Sequence, residues 1–156
     1  MRSLSTFTAA LIVALALNLT TSGQAQAADG MIVKKSAFSA GETLDRFTKI
    51  AQSKGITIFA RVDHAGAAKG VGIDMPANQV LIFGNPKLGS PLIKATGSMG
   101  IDLPLKLLAW EDDKGSWVAY NDPKWLAARH GNKVEKVLAK MAGALDNLTN
   151  AATMKK

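Results

Sequence analysis

The chain has 156 residues, 47% of them hydrophobic and 20% charged, and 19 Lys and Arg against 12 Asp and Glu leave a formal net charge of +7. That length allows one ordinary domain rather than two, and that apolar fraction excludes wholesale disorder. With no cysteine, disulfides, thiolate zinc sites, cysteine nucleophiles and a lipidated cysteine anchor are all excluded.

Arg2 opens a segment that runs through the apolar stretch Ala9 to Leu17 and ends on Ala25-Gln26-Ala27. A charged start, a short apolar centre and a small-x-small exit are the three parts of a secretory signal peptide. Asn18, Thr20, Thr21 and Ser22 cut the apolar run short of the roughly 18 residues a membrane span requires. The expected organisation is a signal peptide over 1–27, one domain over 28–150 and a frayed tail over 151–156, with a periplasmic or secreted address and no membrane span. Export lowers the value of the basic charge as a nucleic-acid signal, so no nucleic acid is expected, and anionic surfaces or ligands become its natural partners.

Met31 to Lys35 reads as an opening strand, and Ser39-Ala40-Gly41-Glu42 has capping-box spacing. Leu44, Phe47, Ile50 and Ala51 then follow at helical spacing up to Gly55. Ile56 to Asp63 alternates, which places Ile58, Ala60 and Val62 on one face and Phe59, Arg61 and Asp63 on the other. Ala65 to Gly70 reads as a loop. Val80 to Phe83 is a short apolar strand closed by Gly84-Asn85-Pro86, and Pro86 to Ala95 suits a helix that Gly89 and Pro91 weaken. Leu105 to Trp110 and Trp117 to Asn121 flank an acidic, Gly-containing loop, the pattern of a hairpin. A short helix over Asp122 to Leu126 stops at Gly131. The last helix, from near Asn132, keeps Val134, Val137, Leu138, Met141, Leu145 and Leu148 on one side.

Hairpin-connected strands interrupted by helices define an α+β class, a mainly antiparallel sheet with helices packed on one face. The second face mixes Phe59, Leu108 and Trp110 with Arg61, Asp63 and Lys106. A face of that composition calls for a long loop, a ligand or another subunit to cover it, and self-association into a homodimer is the expectation favoured here.

His64 and His130 are the two histidines, and neither sits in an H-x-x-x-H or H-E-x-x-H pair. No metal or other cofactor is expected. Asp63-His64 closes a strand, where a side chain becomes available to a ligand or caps the following turn. The glycines from Gly66 to Gly72 lack the order of a phosphate loop, and Ser90, Ser98 and Ser116 lie in no G-x-S-x-G elbow. Glu111-Asp112-Asp113 reads as a solvated turn rather than a calcium loop.

Four blocks in order resemble one family, DUF302. They are Val62 to Ala65, Val80 to Pro86, Ile101 to Glu111 and Trp117 to Pro123, within a likeness spanning Met31 to Leu148. The resemblance implies a β-α-β-rich domain of TATA-binding-protein-like type, without DNA binding and often dimeric, and it implies no reaction. If the ends of its strands converge, Asp63, His64, Asn85, Asp102, Lys106, Trp110 and Tyr120 line one cleft. The expected function is non-catalytic binding of a small anionic ligand there, with His64 and Lys106 supplying charge or hydrogen bonds, Asn85 orienting and Trp110 forming a wall. The alternatives are an envelope enzyme using His64 as general base, oriented by Asp63 or Asp102, and a structural or interaction module.

Overall fold

A computed structural model describes residues 28–155, so the expected signal peptide lies outside the described residues. Five strands, β1 (Met31–Ser36), β2 (Thr57–Asp63), β3 (Asn78–Gly84), β4 (Leu105–Asp112) and β5 (Gly115–Asn121), form one sheet in the order β1-β5-β4-β3-β2. Every neighbouring pair is antiparallel. The helices are α1 (Ala40–Ser53), α2 (His64–Lys69), α3 (Pro86–Ala95), α4 (Pro123–Arg129) and α5 (Glu135–Thr153), with a 3-10 turn at Gly97–Ile101.

β1 and β2 occupy opposite edges, so α1, which joins them, must cross the sheet. Ser39 starts α1 by accepting a hydrogen bond from the Glu42 N–H at 3.2 Å. Gly55, at φ +70°, ends it while the Ile56 N–H returns to the Ala51 carbonyl at 3.0 Å. Between these ends Leu44, Phe47 and Ala51 are fully buried, and Phe47 meets Phe83 edge-on at 4.9 Å between ring centroids. The sheet answers with Leu81, Phe83, Leu105, Leu107, Ala109, Val118 and Tyr120, and α5 closes the core with Leu138, Met141, Leu145 and Leu148.

The α+β expectation holds, and several boundaries move. The acidic loop narrows to a tight turn because β4 runs on to Asp112, which pairs with Gly115. Its residues are employed in the fold: Glu111 Oε1 accepts the Ala40 N–H at 2.8 Å, and Asp112 Oδ1 accepts the Trp117 indole N–H at 2.9 Å. That indole bond, aided by the Lys114 and Gly115 backbone and the Lys114 charge, holds the Asp112 carboxyl below its usual range. Residues 64–69 form a helix where a loop was expected. The expected frayed tail is in part core, since α5 continues to Thr153 with Ala152 and Thr153 buried and the Ala152 carbonyl held by Arg46.

The largest departure lies in β2. Ile58 aligns with Phe83 and Ala60 with Ile82, so Phe59 is an extra residue in a β-bulge. One inserted residue reverses the parity beyond it. Arg61 therefore aligns with Leu81 on the helix side, where it pairs with Asp45 of α1 and bonds Gln79 and the Gly41 carbonyl. Asp63 follows it, aligned with Gln79, and the second face is more apolar than expected. Val33, Ala119, Leu108, Val80 and Val62 stand in register across all five strands. Beside this row Trp110 stacks on Trp117, with Lys35 over the Trp117 ring.

Lys34, inward on β1, ties the edge strand to α5. Its Nζ donates to Asp146 Oδ1 at 2.7 Å, Thr149 Oγ1 at 2.8 Å, Asn150 Oδ1 at 2.6 Å and the Asp146 carbonyl at 3.1 Å. This ammonium holds the Asp146 carboxyl below its usual range, so the bridge stabilises the fold above the unfolded-state carboxylate pKa and is lost as pH falls through the lower folded value. Lys34→Ala should lower unfolding free energy by about 2 kcal/mol in urea melts at pH 7. The gap between variant and native chain should narrow as pH falls through the lowered folded pKa of Asp146, without closing, because the Thr149, Asn150 and carbonyl acceptors do not titrate.

Candidate functional site

The end of the sheet where β2 and β4 begin and β3 ends is sealed imperfectly. Gly84 leaves β3 with the Phe59 ring and Pro104 pressed around it; a Cβ there would lie 3.4 Å from Phe59 and 3.5 Å from Pro104. Asn85 then caps α3, accepting the Lys87 N–H at 2.9 Å, and Pro86 needs no donor in the first turn. α3 leans away with Gly89 and Ser90 facing the sheet end, and α5 supplies Met141, Ala144, Leu145 and Leu148 from the far side. The space between is a cavity of about 220 Å³, walled also by Ile56, Phe83, Leu88, Leu103 and Leu105. Phe59 and Ile93, both exposed, mark its mouth. Among the described residues its polar side chains are Asn85 and Ser90, and none of those lining it is charged.

The expected convergence of strand ends does not occur. β2 runs from a start beside Gly84 to an end beside Gln79, so Asp63 and His64 lie about 20 Å of strand from the cavity. Asp63 caps α2 through the Gly66 N–H at 2.9 Å, and the His64 ring makes no hydrogen bond among the described residues. Asn85 does line the cavity. Lys106 shares that end but lies on the other face, aligned with Ile82, its Nζ 3.3 Å from the Pro104 carbonyl. Trp110 sits on the second face at the far end of β4. Tyr120 is buried under α5, where desolvation, helped by the nearby Asp146 charge, pushes its hydroxyl pKa up. Asp102 is engaged elsewhere: Oδ2 lies 2.7 Å from His130 Nε2, Oδ1 is 3.3 Å from Arg129, and His130 Nδ1 is 2.9 Å from Ser98 Oγ.

The cavity walls escaped the sequence reading because Ile56, Leu88, Leu103 and Met141 carry the same apolar signal as core. Whether such residues enclose a filled or an unfilled volume depends on how α3 is inclined, which periodicity does not encode. The Ser98–His130 approach had no local signal, since 32 positions separate the two residues.

A helix-covered antiparallel sheet with an apolar cavity at one end defines a two-layer α+β fold. The chain belongs to the family described as "Domain of unknown function DUF302", whose model matches residues 32–148. The crystal structure of an uncharacterized conserved DUF302 protein from Bacillus stearothermophilus has a similar fold, with TM-score 0.66 at 16% identity, covering 81% of this chain and 97% of that one. Curated relatives named "Fluoride-specific ion channel FluC 1" from Brucella suis and Brucella abortus are 43% identical over 102 residues, 65% of this chain. The aligned segment spans 40% and 38% of their respective lengths. Among the described residues no helix is long and apolar enough to cross a membrane.

Proposed function

We propose that this chain is an exported, dimeric binding protein that takes one small apolar molecule into the cavity between α3, α5 and the sheet end. The observation that carries the reading is the lining: about 220 Å³ walled by aliphatic and aromatic side chains, with only Asn85 and Ser90 to orient a polar atom. An apolar cavity of about 150 Å³ already accepts benzene, so a ring-sized or short-chain ligand suits this volume. The uncharged wall favours an apolar ligand over the anionic one expected at the outset. Export rests on the segment 1–27, and the dimer on the apolar row across the second face, which water covers at a cost.

A second reading is favoured by the Brucella relatives. They bear the name of a fluoride-specific ion channel, and this chain resembles only about two fifths of each. In this reading the chain serves beside a channel of that kind.

N-phenyl-1-naphthylamine should gain fluorescence on binding the native chain. Gly89→Leu, whose side chain enters the cavity where a Cβ meets only Leu103 at 3.8 Å, should abolish that gain while keeping the native melting temperature. Equal binding by both proteins removes the cavity as the site. Sedimentation should show a dimer for the native chain and a monomer for Leu108→Lys; a native monomer at high concentration ends the dimer claim. Deleting the gene in its own cell should raise sensitivity to fluoride, and unchanged tolerance overturns the channel reading.

A further inference from the structure

The three-residue cluster at the α4 terminus has the geometry of a reaction centre, separate from the cavity. Its parts are held from behind. Met99, 1% exposed, anchors the 3-10 turn that presents Ser98 to solvent. The Asp102 N–H returns to the Met99 carbonyl at 3.1 Å, so the carboxylate leaves the end of that turn in a set direction. His130 ends α4, its N–H on the Ala127 carbonyl at 3.1 Å, and Gly131 at φ +65° turns the chain away behind it. The imidazole is 8% exposed and the Asp102 side chain 15%, whereas Ser98 is exposed.

Asp102 accepts a hydrogen bond at Oδ2 from His130 Nε2–H at 2.7 Å. That leaves the lone pair on Nδ1, and Nδ1 lies 2.9 Å from Ser98 Oγ, ready to accept the hydroxyl proton. Arg129 Nη1, 3.3 Å from Asp102 Oδ1, holds the carboxylate in place from its other side. The two ring nitrogens have exchanged the places they take in most serine hydrolases. An imidazole holds one N–H and one lone pair in either tautomer, so the relay works in both orders. A purely structural tie between the 3-10 turn and α4 is complete with the Asp102–His130 pair. The exposed hydroxyl at the open end of that pair is the element such a tie does not need.

We propose that Ser98, His130 and Asp102 form a nucleophile, base and orienting carboxylate that hydrolyse small acyl esters reaching the surface beside Ile101, which is 74% exposed. Ser98 Oγ attacks the ester carbonyl carbon as its proton passes to His130 Nδ1. The tetrahedral adduct collapses, breaking the bond to the alcohol, which leaves with that proton. Water then attacks the acyl-Ser98 ester and gives a proton to His130. Collapse releases the acid and returns the proton to Ser98 Oγ. The balance is ester plus water to acid plus alcohol, with no oxidant, reductant or cofactor.

The test uses the full chain with a fluorophosphonate, which forms a P–O bond to an activated serine and expels fluoride, and with p-nitrophenyl acetate as substrate. Peptide mass spectrometry should find one phosphonyl adduct, on Ser98, absent in Ser98→Ala. The p-nitrophenol release should fall about 10²- to 10⁴-fold in Ser98→Ala and in Asp102→Asn, each melting as the native chain does. The Ser98→Ala arm keeps the test decisive should the Asp102 variant unfold, because Ser98 is exposed and its loss leaves the Asp102–His130 pair in place. Failure of a native, folded chain to label at Ser98, or undiminished turnover in Ser98→Ala, overturns the proposal without touching the cavity reading.

Discussion

One extra residue in an edge strand governs what each side of this sheet carries. Were β2 regular, Arg61 would stand on the uncovered face and Val62 would press into the helices. The bulge at Phe59 reverses both. Arg61 then reaches Asp45 and the Gly41 carbonyl of α1, fastening the helix that crosses the sheet, while Val62 completes the apolar row that reaches from β1 to β2. The bulged side chain itself is expelled toward the sheet end, where its ring closes over Gly84 and becomes the rim of the cavity.

The cavity exists because three elements meet where none can fill the gap. α3 is tied at its start by Asn85 and Pro86 and near its end by Asn132, whose buried side-chain amide donates to the Leu92 carbonyl at 2.8 Å. Held at both ends, it cannot collapse onto the sheet, and Gly89 and Ser90 offer little bulk toward it. The supports of α3 thus leave a recess of about 220 Å³ at the sheet end, open past Phe59 and Ile93 and lined by apolar side chains.

The short segment from Asp102 to Pro104 belongs to two places at once. Leu103 and Pro104 wall the cavity, and Asp102 immediately before them holds His130. The fold thus sets an apolar recess and a polar relay back to back across three residues. Family membership assigns neither of them a task, because a shared fold carries many activities and each must be argued from its own side chains.

Period-two and period-3.6 patterns are local, and what they describe survived everywhere but in β2 beyond Phe59. The inward set Leu105, Leu107 and Ala109, the α5 stripe from Leu138 to Leu148 and the capping role of Ser39 all follow from residues within a few positions of one another. The likeness to DUF302 was legible for the same reason, as contiguous blocks in order. The candidate cleft was not, because it assumed that polar residues at strand ends gather. Antiparallel pairing sends alternate ends to opposite poles, which separates His64 from Asn85. The bulge was invisible since Phe59 has the same alternating signal as its neighbours, and only pairing with β3 reveals the unmatched residue. Sequence by itself determined the strands, the helices other than α2, the covered face and the family, since those depend on neighbours along the chain. Tertiary structure alone decided the cavity and the meeting of Ser98, Asp102 and His130, because distances between residues far apart in sequence are fixed only when the helices settle on the sheet.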